Sequence, residues 1–132
     1  MAREIKVGDI GNYAEQQFEK LLRVAVLETD SRLKQASPVD TGRFRVSWQV
    51  GENAAPSGEK PAGIYSGIPQ IERIGYREEK LGNVYSVHNN LPYAEPLANG
   101  SSKQAPAGWV QGIAKDIQGF VRVNADRIGR ES

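Results

Sequence analysis

The residues that this 132-residue chain lacks exclude several kinds of chemistry. It contains no cysteine, which excludes disulfides, thiolate metal ligands and cysteine nucleophiles and fits a reducing compartment. Its single histidine, His88, has no partner residues at the spacing of a metal site or a catalytic triad, so we interpret it as a polar strand residue that points outward. Neither the P-loop nor the dinucleotide-binding glycine pattern occurs. We therefore expect no cofactor and no metal ion.

A strong charge of one sign and a long apolar run are also lacking. The 17 Lys and Arg residues nearly balance the 16 Asp and Glu residues, which gives a net charge of +1. This balance does not favour nucleic-acid binding by bulk electrostatics, because such binding needs a clustered basic face. No apolar run approaches the roughly 20 residues that cross a bilayer, and residues 1–13 lack the apolar core of a signal peptide. We expect no membrane partner and a protein that is made and used in a cytoplasm.

The order of periodic segments predicts a single α+β domain over residues 1–132. Apolar residues at spacings of three and four predict a long helix over residues 12–36, with Asn12 as N-cap and residues 1–11 as an N-terminal extension. The apolar stripe is wide, so this helix should be covered on more than one side, by its own sheet or by a neighbouring subunit. A C-terminal helix over about residues 106–127 is expected to pack on a small antiparallel sheet.

The middle of the chain predicts strands separated by long loops. After Gly42 the apolar residues alternate with polar ones, which predicts a half-buried strand with Arg43 and Arg45 on one face. Further strands are predicted within residues 64–66, 70–75 and 81–88. Residues 51–67 and 91–108 are rich in Gly and Pro and are predicted as long loops, the second with a helical turn over residues 93–98. Loops of this length are commonly functional, and in assembly proteins they reach neighbours.

The stretch SPVDTGRFRVSW, residues 37–48, allows two interpretations. Asp40-Thr41-Gly42 is the triplet around the catalytic carboxylate of aspartic proteases, which need two carboxylates sharing one proton, so a chain this short would have to dimerise. The same triplet can be a corner in which Pro38 ends the helix, Asp40 accepts backbone N–H bonds and Gly42 permits a tight bend. Proteases of this type are mostly β, whereas this chain opens and closes with helices. The sequence therefore favours a structural corner formed by Pro38, Asp40, Thr41 and Gly42.

Two motifs in order resemble the HK97 gp10-like proteins of tailed bacteriophages. The first is Pro38-Val39-Asp40-Thr41-Gly42 followed by Phe44, Arg45 and Ser47, directly after a long helix, where the family carries P-V-D-T-G-x-L-x-x-S. The second is Tyr93-Ala94, then Asn99-Gly100, then a proline and aromatic segment over residues 104–110 and a closing helix. Phe44 stands where leucine is usual, and Asn99-Gly100 stands where many members have Glu-x-Gly. These departures concern packing and one loop.

The resemblance implies a virion structural protein at the head–tail junction, a neck, tail-completion or tail-terminator component without catalysis. Its partners would be other copies in a ring and neighbouring neck or tail proteins, and genome DNA would pass through the ring without specific binding. A ring needs heterologous contacts that close. The candidates for contacts with subunits or other partners are Arg43, Arg45, Tyr93, Asn99, Gly100 and Trp109.

Several alternatives stay open. The two arginines that follow the corner would be solvated surface, a partner contact or a contact with DNA phosphates in a channel. The alternative function is a dimeric aspartic-protease-like enzyme that uses Asp40. A third is a toxin-like or regulatory binding module, to which no residue points.

Overall fold

The structure is a computed structural model that describes residues 7–99 and 107–131, with side chains described from residue 12 onward. Within these ranges the chain forms α1 (Val7–Ala36), α2 (Arg43–Val46), β1 (Trp48–Glu52), β2 (Arg73–Ile74), β3 (Tyr85–Asn89), α3 (Ala94–Ala98) and α4 (Trp109–Glu131). The predicted α+β class is confirmed. A long N-terminal helix and a C-terminal helix pack on each other, and the C-terminal helix also contacts the small sheet through Trp109.

The two long helices agree with the sequence prediction except at their ends. Helix α1 already includes residues 7–11, so Asn12 lies inside the helix and its predicted role as N-cap is wrong. The helix ends at Ala36 as predicted, because Pro38 disfavours the helical conformation of the residue before it. Helix α4 continues past the predicted end at residue 127 and reaches Glu131.

The strand predicted directly after Gly42 begins later than expected. Arg43–Val46 forms one helical turn, α2, and β1 starts at Trp48. The hydroxyl of Ser47 donates to the carbonyl oxygen of Arg43 and closes the turn. Because Arg43 and Arg45 lie in this turn, the prediction that they share one face of a strand is wrong.

The sheet has the order β2-β1-β3, with β1 in the centre. The predicted antiparallel pairing holds between β1 and β3, where Val50 lies opposite Val87. Strand β2 instead pairs with β1 in parallel, so the sheet is mixed. A parallel neighbour requires a long crossover connection, and residues 53–72 supply it. Within that connection residues 64–66 form no strand, contrary to prediction.

Strand β1 is buried on both faces, not on one. Trp48 and Val50 face the helices, and Gln49 on the other face is only 5% exposed. Residues 53–60 cover that outer face, where the Gln49 side-chain amide donates to the carbonyl oxygen of Gly58 at 2.6 Å. Asn90, which directly follows β3, donates to the carbonyl oxygen of Pro56 at 2.6 Å and holds the same segment.

The core lies where α1, β1 and the start of α4 meet. Its buried members are Leu33, Phe44, Trp48, Leu91 and Trp109. The rings of Trp48 and Trp109 are perpendicular, with centroids 6.3 Å apart, which is a favourable edge-to-face arrangement. In the part of the chain that the structure describes, no helix is long and apolar enough to span a membrane.

Candidate functional site

The corner after α1 is fixed by a backbone segment from far along the chain. The carbonyl oxygen of Thr41 accepts a hydrogen bond from the backbone N–H of Tyr65 at 2.6 Å, and the Thr41 hydroxyl accepts one from the N–H of Arg43. Gly42 has φ = 85°, a left-handed conformation, and a Cβ at this position would overlap the carbonyl oxygen of Tyr65. The predicted bend at Gly42 is therefore confirmed. Glycine is required at this bend because of both the positive φ and the close approach of Tyr65.

Asp40 does not have the role that the sequence suggested for it. It is exposed, and no backbone N–H among the described residues donates to its carboxylate. The corner is thus held by Thr41, Gly42 and Tyr65, while Asp40 projects from it. Pro38 is buried, in agreement with its assignment to the corner.

A surface cleft of about 510 Å³ opens beside the corner, and we call it the corner cleft. It is lined by residues 38–44, by Ala62 and Gly63, and by Tyr93 and Leu97. Both sequence motifs therefore contribute to one cleft, although about fifty residues separate them. Asp40 is the one carboxylate among the described residues that line it.

Aromatic contacts join the two motifs beneath this cleft. The Phe44 ring lies 6.3 Å from Tyr93 and 6.3 Å from Trp109, centroid to centroid. The indole N–H of Trp109 donates to the carbonyl oxygen of Leu97 at 2.9 Å. Trp109 is buried, so its proposed contact with a neighbour is wrong for the folded chain, and the residue packs inside. Tyr93 is 38% exposed and stays available at the surface.

The other contact candidates have different surroundings. The Arg43 guanidinium donates through Nε to the carbonyl oxygen of Lys60 at 2.9 Å and thereby holds the crossover connection. Arg45 is half-buried, and its Nε has no hydrogen-bond partner in the described structure. Asn99 is exposed at the end of α3. Gly100 lies outside the described residues.

The crossover connection, residues 53–72, is called the arm below. It has no regular secondary structure, and it is attached to the domain by the hydrogen bonds of Gln49, Arg43 and Thr41 described above. Its apolar side chains are nevertheless exposed: Ile64 is 89% exposed and Ile68 is 49% exposed. The loop predicted over residues 51–67 is confirmed from residue 53 onward, whereas Gly51 and Glu52 belong to β1. The loop presents apolar side chains from a backbone that is anchored at several points.

Two buried carboxylate–cation pairs lie at the far end of the arm, and sequence reasoning missed both. Lys34 on α1 pairs with Asp30 at 2.7 Å and donates to the carbonyl oxygens of Pro69 and Gln70, each at 3.3 Å. Arg73 pairs with Glu79 through two hydrogen bonds of 2.7 and 2.9 Å. The spacing of four residues between Asp30 and Lys34 would have indicated a helical ion pair, but not its burial.

His88 is exposed on β3, as interpreted from the sequence. Among the side chains that the structure describes, in residues 12–99 and 107–131, no group of three or more His, Asp and Glu is arranged to hold a metal ion.

Comparisons of this chain with protein-family models, with curated proteins and with solved structures found no match. The family resemblance therefore rests on the two motifs and on their order along the chain.

Proposed function

We propose that this protein is a structural component of a tailed-bacteriophage virion, which acts by assembly at the head–tail junction and performs no catalysis. In this proposal it forms a ring with other copies of itself and contacts neighbouring neck or tail proteins. It is made in the host cytoplasm and ends in the virion, and genome DNA passes through the ring without specific binding.

The observation that carries the proposal is the meeting of the two motifs at one place. Phe44 from the first motif contacts Tyr93 and Trp109 from the second, and both motifs line the corner cleft. Matching residues that pack together support a resemblance better than scattered matches do, because a change in one of them affects the packing of the others. The resemblance is to an assembly protein, and this unit consists of a corner, a cleft and the attachment of the arm.

The exposed apolar side chains of the arm support assembly independently. A monomeric soluble protein exposes single apolar residues without consequence, but Ile64 projects from an anchored backbone beside an open cleft. A preorganised surface loses less conformational entropy on binding than a flexible one, so an anchored arm suits contact with a neighbour. Ala62 and Gly63 of the arm line the corner cleft, so the exposed Ile64 and the cleft are adjoining parts of one surface that a neighbouring subunit could contact.

Two substitutions in the Asp-Thr-Gly triplet distinguish a structural corner from the catalytic site of a dimeric protease. We expect Asp40→Asn to change the free energy of unfolding by less than about 0.5 kcal/mol, because the side chain is exposed and away from the hydrogen bonds of the corner. Gly42→Ala should cost about 2 kcal/mol or more, since it combines a positive φ with an overlap against Tyr65. Urea unfolding of both variants measures this difference.

The experiment that tests assembly is the native mass by light scattering across a concentration series, with electron microscopy of the same sample. We expect closed rings, and we expect Ile64→Asp to reduce the ring fraction while Lys115→Asp, at an exposed position of α4 outside the corner cleft, leaves it unchanged. A wild-type protein that stays a single chain at every concentration would contradict self-assembly into a ring. Peptide cleavage that Asp40→Asn abolishes would instead favour the protease.

A further inference from the structure

The outer face of α1 is apolar where a solvent-facing side of a helix is ordinarily polar. Val24 is 42% exposed and Leu27 is 43% exposed, and they are neighbours on one helical turn. Tyr13, which is 45% exposed, lies nearer the N-terminus of the same helix. The sequence predicted that α1 would be covered on more than one side, and within the described chain this side is open.

Two grooves flank this face, one on each side of α1. The first lies between α1 and α4, has a volume of about 310 Å³, and is lined by Leu21, Val24 and Phe120 together with Lys20 and Arg127. The second lies between α1 and the arm, has a volume of about 460 Å³, and is lined by Leu27, Glu28, Asp30, Lys34, Ile68 and Ile71 among others. Both grooves combine apolar walls with charged side chains.

The charges of the two grooves have opposite signs. Lys20 and Arg127 are the charged residues of the first groove, and both are basic. In the second groove Asp30 and Lys34 form a buried pair with each other, which leaves the acidic Glu28 as the charge that reaches solvent. Glu28 has an intrahelical partner, Arg32 at 3.1 Å, and Arg127 has Glu131 at 3.9 Å. Exposed intrahelical pairs of this kind contribute only a few tenths of a kcal/mol, so a binding partner can replace them.

The arrangement of the grooves determines which symmetry can use them. The first groove is lined by α1 residues between 17 and 24 and the second by α1 residues between 27 and 34, so the face between them has a basic end and an acidic end. When two copies meet antiparallel along this face, the basic end of each lies against the acidic end of the other. Such a contact is isologous and has a two-fold axis. Lys20 and Glu28 lie four residues before and four residues after Val24. Two antiparallel α1 helices crossing at Val24 would therefore place each lysine opposite a glutamate.

We propose that this face of α1 binds a second copy of the chain in a two-fold pair, with Val24 at the axis and Lys20 opposite Glu28 of the partner subunit. Val24 packs against Val24 of the partner subunit and Leu27 packs against Leu21 of the partner subunit, because the crossing places residues at equal distances before and after Val24 opposite each other. The charged pairs set the antiparallel direction. The pairing does not rest on the proposed function, since a ring would use heterologous contacts and this contact is isologous.

A disulfide tests the position of the axis directly, because the chain contains no cysteine. We expect Val24→Cys to form a covalent dimer under mild oxidation, since residues at a two-fold crossing of packed helices come close enough for a disulfide. Lys115→Cys, at an exposed position of α4 outside both grooves, is the matched control. Crosslinking of Val24→Cys at no greater rate than the control would overturn the proposal.

A charge swap tests the direction of the pairing. Sedimentation equilibrium of the wild-type protein should show a species of about twice the chain mass of 14.5 kDa, or a larger assembly built from such pairs. We expect Lys20→Glu and Glu28→Lys each to weaken pairing about tenfold, and the double variant to return to within about threefold of wild type. Lys115→Glu makes the same charge change outside the grooves and should have no effect.

Three results would overturn the proposal: a wild-type protein of single-chain mass at all concentrations, single variants that pair like wild type, or a double variant that remains as weak as the singles. If larger assemblies form, each single charge change should break the two-fold pairing within them and so halve their mass. Assemblies of unchanged mass would contradict the pairing. Circular dichroism spectra of the variants establish that they fold, which is expected because both side chains lie at the surface of α1.

Discussion

Two buried carboxylates take part in ion pairs on either side of β2 but have different surroundings. Glu79 is fully buried. One of its carboxylate oxygens accepts a hydrogen bond from Nε of Arg73 at 2.7 Å, and the other accepts one from a terminal nitrogen of Arg73 at 2.9 Å. Asp30, 3% exposed, receives Lys34 on Oδ2 at 2.7 Å, while its Oδ1 is buried without a hydrogen-bond partner in the described structure. The first pair closes the turn after β2, and the second holds the end of the arm before β2.

The pKa values of these two carboxyls shift in opposite directions. Burial raises the pKa of Asp30 above its ordinary value of 3.8, and the hydrogen bond and charge of Lys34 only partly offset this. Burial acts in the same direction on Glu79. The hydrogen bonds and charge of Arg73, with the Tyr76 hydroxyl nearby, outweigh it and hold the pKa of Glu79 below its ordinary value of 4.5. Burial alone therefore does not determine the direction of the shift; the hydrogen bonds and charges around each carboxyl decide whether its pKa is raised or lowered.

The largest expected effect comes from removing the cation of the satisfied pair. Arg73→Leu leaves the Glu79 carboxylate buried without a partner, and we expect a loss of about 3 to 5 kcal/mol in the free energy of unfolding at neutral pH. Urea denaturation measures this loss. Arg127→Leu, which removes an exposed arginine with a long ion pair at 3.9 Å, is the control and should change stability by less than about 0.5 kcal/mol. A loss for Arg73→Leu as small as that of the control would contradict the assigned role of the pair.

The unsatisfied pair should tolerate complete replacement. The double variant Asp30→Leu with Lys34→Met removes a buried charge pair that leaves one oxygen unpartnered, and we expect stability within about 1 kcal/mol of wild type, or higher. Lys34→Met alone should be less stable than the double variant, because it leaves Asp30 without its cation. A double variant that is as unstable as Lys34→Met alone would show that the bonds from Lys34 to the arm carbonyls, which both variants lose, matter more than the charge pair.

The burial of these charged pairs is a feature that the sequence could not predict. The long helices, the α+β class and the loop character of residues 53–67 follow from periodicity and from glycine and proline content. Lys34 and Glu79 are charged residues that periodicity assigns to solvent. Their burial depends on where the arm and the turn after β2 lie, and no local pattern contains that information.

The errors at the corner have a similar cause. Four residues with alternating apolar side chains, Arg43–Val46, are too few to distinguish a strand from a helical turn. The left-handed Gly42 and the approach of Tyr65 decide between them, and Tyr65 comes from the arm. Strand β2 has two residues and no periodicity of its own, and it exists because β1 pairs with it. The motifs could be found in the sequence, but the cleft that joins them could not.

The smallest effect, and the most direct test of the comparison, is the direction in which the pKa of each carboxyl departs from its ordinary value. Glutamate ordinarily titrates above aspartate. The opposite shifts in pKa predict that Asp30 titrates above the ordinary aspartate value and Glu79 below the ordinary glutamate value. Carboxyl-carbon NMR titration measures both directly, and Asp30→Asn and Glu79→Gln assign the two resonances.

The same shifts have opposite consequences for stability. Because the pKa of Glu79 is lowered in the folded state, its contribution is present above about pH 4.5 and is lost as the pH falls through its folded pKa. Because the pKa of Asp30 is raised, its contribution is present below about pH 3.8 and is lost as the pH rises through its folded pKa. Between pH 3 and 7, the stability of Asp30→Asn relative to wild type should therefore increase with pH. A constant difference would mean that Lys34 compensates Asp30 fully despite the unpartnered Oδ1, and the distinction between the two pairs would disappear.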